Sequence, residues 1–273
     1  MDGPAARPQL AWQPLTFRGV AAFASASFGR LLLVQLVFAV IAAGVVIWFV
    51  QRSWFPVINR AIAELPADAH IRGARLMWNA DEPRSLAQNR FLNLAVDLRH
   101  EGGARMPSHI QVELGEKDVK VMSLLGYLQT TYSPNYRIDL TPADAGPWWG
   151  AWVPPILAMT AGATIAGLMV FWAALATVYF LPLWLYAFFA NRQLSLGGTW
   201  RLAGAALMPG ALILCGAIVL YAFGALDLPL LAIAMALHLL TGWIYAWVAV
   251  WELPQVREDA TAPALNPFAR RET

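Results

Sequence analysis

Residues 148–189, WWGAWVPPILAMTAGATIAGLMVFWAALATVYFLPLWLYAFF, form a long apolar stretch without Asp, Glu, Lys or Arg. In lipid only helices and closed barrels satisfy every backbone polar group, so an uncharged stretch of this length indicates membrane helix. A single helix of that length would measure about 63 Å, roughly twice the hydrocarbon core of a bilayer. We therefore predict a span over residues 152–178 and a break or kink at Pro182, which lacks a backbone N–H.

The end of this stretch, residues 179–190, is rich in the aromatic side chains that favour the headgroup level of a membrane. Residues 148–190 are thus predicted to hold the second transmembrane helix and a proline-broken aromatic extension. The extension is either interfacial or a fifth membrane-inserted segment.

Three further apolar runs cover residues 31–50, 202–224 and 229–251, and a link over 225–228 joins the last two. Each is long enough to cross a bilayer core of about 30 Å. Pro209 is expected to kink the run that contains it. The predicted fold class is an α-helical polytopic membrane protein with four transmembrane helices and a small extracytoplasmic α+β domain.

Composition supports this class and excludes others. Of the 273 residues 59% are hydrophobic and 13% charged, against about 25% charged in soluble domains. The net charge of +2 is too small to indicate nucleic-acid binding. The single cysteine, Cys215, rules out an intrachain disulfide.

The predicted extracytoplasmic domain covers residues 51–147, where basic and acidic residues are equal in number. Helical spacing over 54–65 ends at Pro66. Alternating apolar residues then predict short strands of a small antiparallel sheet. These strands cover residues 71–78, 91–98, 109–114, 119–121 and 136–140. On the third of them, the face with His109, Gln111 and Glu113 is expected to be solvated.

The positive-inside rule sets the orientation, because arginines flank three segments predicted to share one side. Those segments are residues 1–30 (a tail and an interfacial helix), the basic loop 191–201 and the disordered tail 252–273. Their arginines are Arg7, Arg18, Arg30, Arg192, Arg201, Arg257, Arg270 and Arg271. We predict a multi-pass protein of the bacterial cytoplasmic (inner) membrane, with both termini cytoplasmic and residues 51–147 outside.

Candidate functional residues fall into two groups. Gln35, Thr164 and His238 are polar positions within the predicted spans and candidates for interhelical contacts. Candidates for membrane anchoring or for binding a ligand or partner are Trp148, Trp149, Trp152, Arg192, Trp200 and Arg201. No nucleophile elbow, phosphate-binding loop or zinc motif is present in the sequence, so neither an enzyme nor a cofactor is predicted.

The layout of one span, an outer domain and further spans, with the string Pro147-Trp148-Trp149-Gly150-Ala151-Trp152, resembles an uncharacterised bacterial polytopic membrane family distantly allied to the Yip1 group. The resemblance implies a non-enzymatic protein of trafficking, assembly or sensing. The first hypothesis is an outer domain that binds an envelope protein, a second copy or a ligand. The alternatives are a permease or carrier component for a neutral or lipidic solute, and a membrane enzyme that uses the outer histidines.

Overall fold

The structure is a computed structural model that describes residues 12–79 and 82–256. The chain divides into two compact units. One contains Ala39–Gly167 and Cys215–Ala232, and the other contains the described residues up to Phe38, Leu168–Leu214 and those from Ile233 onward. The predictions for residues 1–11 and 257–273, including Arg7, Arg257, Arg270 and Arg271, lie outside the described residues.

Seven α-helices are present in the described ranges. They are α1 (Phe17–Ala22), α2 (Phe28–Ser53), α3 (Phe55–Ala63), α4 (Pro142–Phe189), α5 (Leu196–Ala206), α6 (Met208–Ala222) and α7 (Leu228–Trp251). Within the part of the chain that the structure describes, four helical segments are long and apolar enough to cross a membrane: Phe28–Ala63, Pro142–Phe189, Leu196–Ala222 and Leu228–Trp251. A mostly helical chain with a small, separate sheet domain is thus compatible with the predicted fold class.

Helix α4 is continuous through Pro182, which corrects the predicted break. A proline removes one backbone hydrogen bond, but an apolar environment still favours the remaining ones over a helix end. The helix also begins before the apolar stretch, at Pro142. Thr141 Oγ1 accepts a hydrogen bond from the N–H of Asp144 at 3.3 Å, and a proline is favoured directly after such a cap.

The run that contains Pro209, for which a kink at that proline is predicted, is divided two residues earlier, with Leu207 between α5 and α6. The predicted loop 191–201 is shorter than expected, however, because α5 already begins at Leu196. Ser195 Oγ caps that helix by accepting from the N–H of Gly198 at 3.1 Å. The pair Gly197-Gly198 therefore belongs to the first turn of a helix.

The region expected to hold an interfacial helix contains α1 and a 3₁₀ turn over Phe23–Ser25. Val20 and Phe23 are fully buried there, as are Leu31 of α2 and Leu202 of α5. These elements form an apolar core in which α1 is a packed helix.

Among the residues that the structure describes, the sheet domain has eight short strands. They are β1 (His70–Arg72), β2 (Arg75–Met77), β3 (Arg84–Gln88), β4 (Leu92–Val96), β5 (Ile110–Leu114), β6 (Asp118–Ser123), β7 (Gly126–Thr131) and β8 (Ile138–Asp139). One sheet has the order β2-β1-β8 and the other the order β3-β4-β5-β6-β7. The predicted strand 71–78 is a hairpin, since Gly73 and Ala74 both have positive φ.

The prediction of an antiparallel sheet is wrong for one pair, because β4 and β5 are parallel. A parallel pair requires a crossover connection. Here residues 97–109 make it without a helix or strand. Gln111 and Glu113 are consequently buried, which corrects the expected solvated face.

Candidate functional site

An apolar cavity of about 740 Å³ lies in the sheet domain and is the principal candidate site. Its walls come from α3, both sheets and the start of α4. The lining is aliphatic at Ile58, Ala61, Ile62, Leu65, Ile71, Leu86, Leu94, Ala95, Val112, Leu114, Val119, Ile138, Leu140 and Ala145; it is aromatic at Tyr132, Trp148 and Trp149, and charged at Arg137, Asp139 and Asp144. Cavities of this size and character commonly hold small-molecule ligands.

The alternation of side chains along each strand determines which residues form the central wall of this cavity. Leu94 and Val112 are paired neighbours on β4 and β5, and Val121 of β6 pairs with Val112. Residues two apart on a strand share a face, so Leu114 follows Val112 on the cavity side. The inward apolar face that the sequence indicates is therefore the one that lines the cavity.

The three charged lining residues lie at the rim. Arg137 Nε donates to Asp139 Oδ1 at 2.9 Å, and their side chains are 60% and 43% exposed. Asp144 is also exposed and accepts a hydrogen bond from Thr141 Oγ1 at 2.6 Å. Because these charges face solvent, the interior of the cavity is apolar.

The tryptophan cluster divides between two environments. Trp149 Nε1 donates to Asn59 Oδ1 at 2.9 Å, and its ring packs edge-on to Phe55 with centroids 5.2 Å apart. Trp148 also lines the cavity but is 63% exposed. Trp152, 45% exposed, lies near Trp148 and does not line the cavity. Two of these three tryptophans thus belong to the candidate site.

On the opposite face of the sheet, His100 bridges two carboxylates. Its Nδ1 contacts Glu113 Oε1, and its Nε2 lies 2.5 Å from Asp118 Oδ1. Glu113 is fully buried and also accepts from Gln111 Nε2 at 3.1 Å. Both ring nitrogens therefore face acceptors, which favours the doubly protonated imidazolium.

The pKa values in this cluster follow from burial and pairing. Burial alone would lower the pKa of His100, but hydrogen bonds to Asp118 and Glu113 and their negative charges raise it. Burial would raise the pKa of Asp118, yet the bonds from His100 and Gln129 lower it. Burial, with the nearby Asp118 charge, raises the pKa of Tyr132. The cluster is an ion-paired support for the loop 97–109.

A second histidine, His109, lies in an aromatic group at one edge of the five-stranded sheet. Its ring stacks on Tyr221 with centroids 5.5 Å apart, and its Nδ1 hydrogen-bonds to the Tyr221 hydroxyl. Arg90 Nη2 donates to the carbonyl of Leu226 at 2.7 Å. Burial, followed by the positive charge of Arg90, lowers the pKa of His109.

The basic candidates near α5 have structural partners. Arg192 Nη1 donates to the Leu253 carbonyl at 2.7 Å, and Arg201 Nη2 donates to the Ala24 carbonyl, also at 2.7 Å. Trp200 Nε1 donates to Thr177 Oγ1 at 3.1 Å. A more polar cavity of about 770 Å³, lined by residues that include Arg18, Arg201 and Glu252, lies in this part of the chain.

The polar candidates within the helices also have local partners. Gln35 is 2% exposed, and its Nε2 donates to the Gly204 carbonyl at 3.3 Å. Thr164 donates to the Thr160 carbonyl one turn earlier at 2.8 Å. His238 Nδ1 contacts the Met235 carbonyl. None of these three residues lines either of the two cavities described above.

No protein-family model matches this chain, and no curated protein or solved structure matches it either. The resemblance to the Yip1 group thus stays a prediction.

Proposed function

We propose that the protein is a non-enzymatic integral membrane protein of the bacterial inner membrane whose extracytoplasmic domain binds an apolar ligand. The ligand class is a molecule with an acyl chain or a comparable hydrocarbon part. Both termini are cytoplasmic in this proposal, and a sensing, scaffolding or assembly role follows from ligand binding outside.

The cavity is the observation that carries this proposal. Its 740 Å³ fall within the range of about 300–1,000 Å³ that is usual for ligand sites. Aliphatic and aromatic side chains make up the interior, and the hydrocarbon part of a ligand replaces water there favourably. The exposed rim charges of Arg137 and Asp139 offer hydrogen bonds to a polar end of the ligand.

The cavity's position supports a ligand that comes from the membrane. Trp148 and Trp149 line it, and the apolar part of α4 that is proposed to span the bilayer begins at the same residues. Tryptophan side chains favour the interface between lipid and water. A hydrocarbon ligand would thus be close to its source.

The two alternative functions have less support. A carrier requires a polar or lipid-sized path near Gln35, Thr164 and His238, and each of these hydrogen-bonds to a backbone carbonyl. An enzyme that uses the outer histidines requires a free imidazole. His100 is paired with two carboxylates and His109 with a tyrosine hydroxyl.

The test is equilibrium binding of a fluorescent fatty acid to the purified protein in nanodiscs. Val112→Phe adds volume inside the cavity and should abolish saturable binding. Met77→Phe is the matched control, since Met77 is 51% exposed on β2 and does not line the cavity. Equal saturable binding by wild type and V112F, or none by wild type, would overturn the proposal.

A further inference from the structure

The hairpin that joins β6 and β7 carries an exposed apolar tip. Leu124 and Leu125 are 81% and 98% exposed, and Tyr127 and Leu128 beside them are 68% and 70% exposed. No charged residue occurs between Val121 and Leu128. An apolar surface of this kind on one small loop indicates an interaction site.

Turn chemistry does not require leucine at this tip. Ser123 pairs with Gly126, so Leu124 and Leu125 form a two-residue loop, where Asn, Asp and Gly are favoured. The backbone freedom comes from Gly126, whose φ is +125°. The Ser123 hydroxyl oxygen accepts from the N–H of Leu125 at 3.2 Å. Two leucines that the local structure does not need are therefore available for another role.

Strand register places the tip at one particular edge of the five-stranded sheet. Ser123 is directly opposite Ile110, the first residue of β5. The preceding residue, His109, stacks on Tyr221, one residue before the end of α6. The tip thus belongs to the sheet edge that contacts a proposed membrane-spanning helix.

A neighbouring turn confirms which edge faces the helices. Asn89, in the turn between β3 and β4, donates through Nδ2 to the carbonyl of Ser53 at 2.5 Å, and Ser53 is the last residue of α2. Phe91 packs edge-on to Phe49 of α2, with centroids 5.3 Å apart. The β3–β4 turn and the residue that precedes β5 therefore both lie against helix ends, and the β6–β7 tip is the next turn along that edge.

We propose that Leu124 and Leu125 insert into the lipid of the leaflet that surrounds the outer ends of α2 and α6. This interaction surface rests on the proposed membrane-spanning role of those helices, but it does not depend on the ligand cavity. Tyr127 is suited to the headgroup level. Lys120 lies over the Tyr127 ring, 4.8 Å from its centroid. Because Lys120 is further from the tip than Tyr127, its ammonium group lies at the level of the lipid phosphates.

Lipid is favoured over a protein partner because of this location. A protein that covered Leu125 would have to occupy the space beside the helix ends, which the bilayer fills. Lipid needs no further complementary surface. A hydrophobic loop inserted at that depth also orients the domain relative to the membrane. The loop adds a contact at β7, which is separated from β4 by β5 and β6.

The test uses single-cysteine proteins in a Cys215→Ala background, labelled with an environment-sensitive fluorophore and reconstituted in phosphatidylcholine and phosphatidylglycerol vesicles. Leu125→Cys reports on the tip. Lys117→Cys is the matched control in the turn at the opposite end of the same sheet, where Lys117 is exposed. Val40→Cys, at a 53% exposed position of α2, reports on the proposed span.

Emission from the labels at positions 125 and 40 should shift to shorter wavelength, and lipids with a nitroxide on the acyl chain should quench both. The label at 117 should remain accessible to aqueous iodide and unquenched by those lipids. Quenching at 40 but not at 125 would overturn lipid insertion alone. A blue-shifted label at 125 that nitroxide lipids do not quench would overturn it too, because protein would then cover the tip. No quenching at 40 would contradict the proposed spans as well.

Discussion

Trp149 donates its indole N–H to the side-chain oxygen of Asn59 at 2.9 Å, which joins the beginning of α4 to α3. The two helices form one wall of the apolar cavity, together with Trp148. The start of α4, a long apolar helix, is therefore fixed by a polar contact with Asn59 as well as by an apolar contact with Phe55.

Trp149→Phe should weaken this wall moderately. A phenylalanine ring can still pack against Phe55, but the hydrogen bond to Asn59 is lost. The loss lowers the free energy of unfolding by about 1 kcal/mol. Faster hydrogen exchange of the α3 amides, measured by mass spectrometry in detergent, would show the effect. Trp152→Phe is the control, and equal exchange in both variants would contradict the assigned role of Trp149.

His100→Asn should destabilise the sheet domain strongly. The change leaves the fully buried Glu113 carboxylate without its imidazole partner, which costs on the order of 3 kcal/mol. Asparagine tolerates the left-handed backbone of His100, whose φ is +56°, so the effect belongs to the side chain.

The thermal midpoint of the domain in detergent measures this effect. The control is Arg99→Ala, since the Arg99 and Glu101 side chains are 78% and 65% exposed and 3.8 Å apart. A midpoint for H100N no lower than that of R99A would disprove the supporting role of the ion-paired cluster.

The same cluster predicts a pH dependence. The pKa of His100 is raised in the folded protein above its ordinary value of 6.5, so its stabilisation is complete below that value and declines as pH rises through the folded pKa. The thermal midpoint of the wild type should fall as the pH is raised from about 6 to about 9, and the midpoint of H100N should change less. A larger decline in H100N over this range would reverse the assigned sign. Asp118, whose pKa is lowered, adds stability above pH 3.8 that is lost as pH falls through its folded pKa.

Close packing of α6 and α7 depends on Gly210. A Cβ at this position would lie 2.3 Å from the backbone oxygen of His238, which cannot move as a side chain does. Gly210→Ala should cost about 1–3 kcal/mol through overpacking. Gly216→Ala on the same helix meets nothing within 4 Å and should be neutral or slightly stabilising. Thermal unfolding in detergent separates the two variants, and similar midpoints would contradict this packing.

The sequence predicts the helices well because their signal is local. Four uncharged runs mark the apolar helices, and α7 begins one residue before the predicted 229–251 run and ends with it. Helix α4 begins at Pro142, before the predicted span, although Thr141-Pro142-Ala143-Asp144 carries a helix N-terminus signal in its cap, its proline and its acidic residue.

The sheet domain shows where local patterns are insufficient. Alternation identifies the apolar faces of β4 and β5 but does not set whether the two strands run parallel. That depends on the path of residues 97–109, which decides whether Glu113 is solvated or buried. The cavity likewise requires α3, both sheets and Trp149 to meet, and such long-range placement leaves no periodic signal. The sequence nevertheless indicates Trp148, Trp149 and Trp152 as candidates for a ligand-binding patch, and the first two of them line the cavity.

Photo-crosslinking tests the proposed ligand site most directly. A fatty acid with a diazirine on its chain would be added to membranes that contain the full protein, irradiated, and mapped by peptide mass spectrometry. We predict labelling within residues 58–65, 112–114 and 138–149 that excess unmodified fatty acid competes away and that Val112→Phe abolishes. Labelling confined to the four long apolar helices, with no saturable product in the sheet domain, would contradict the proposal.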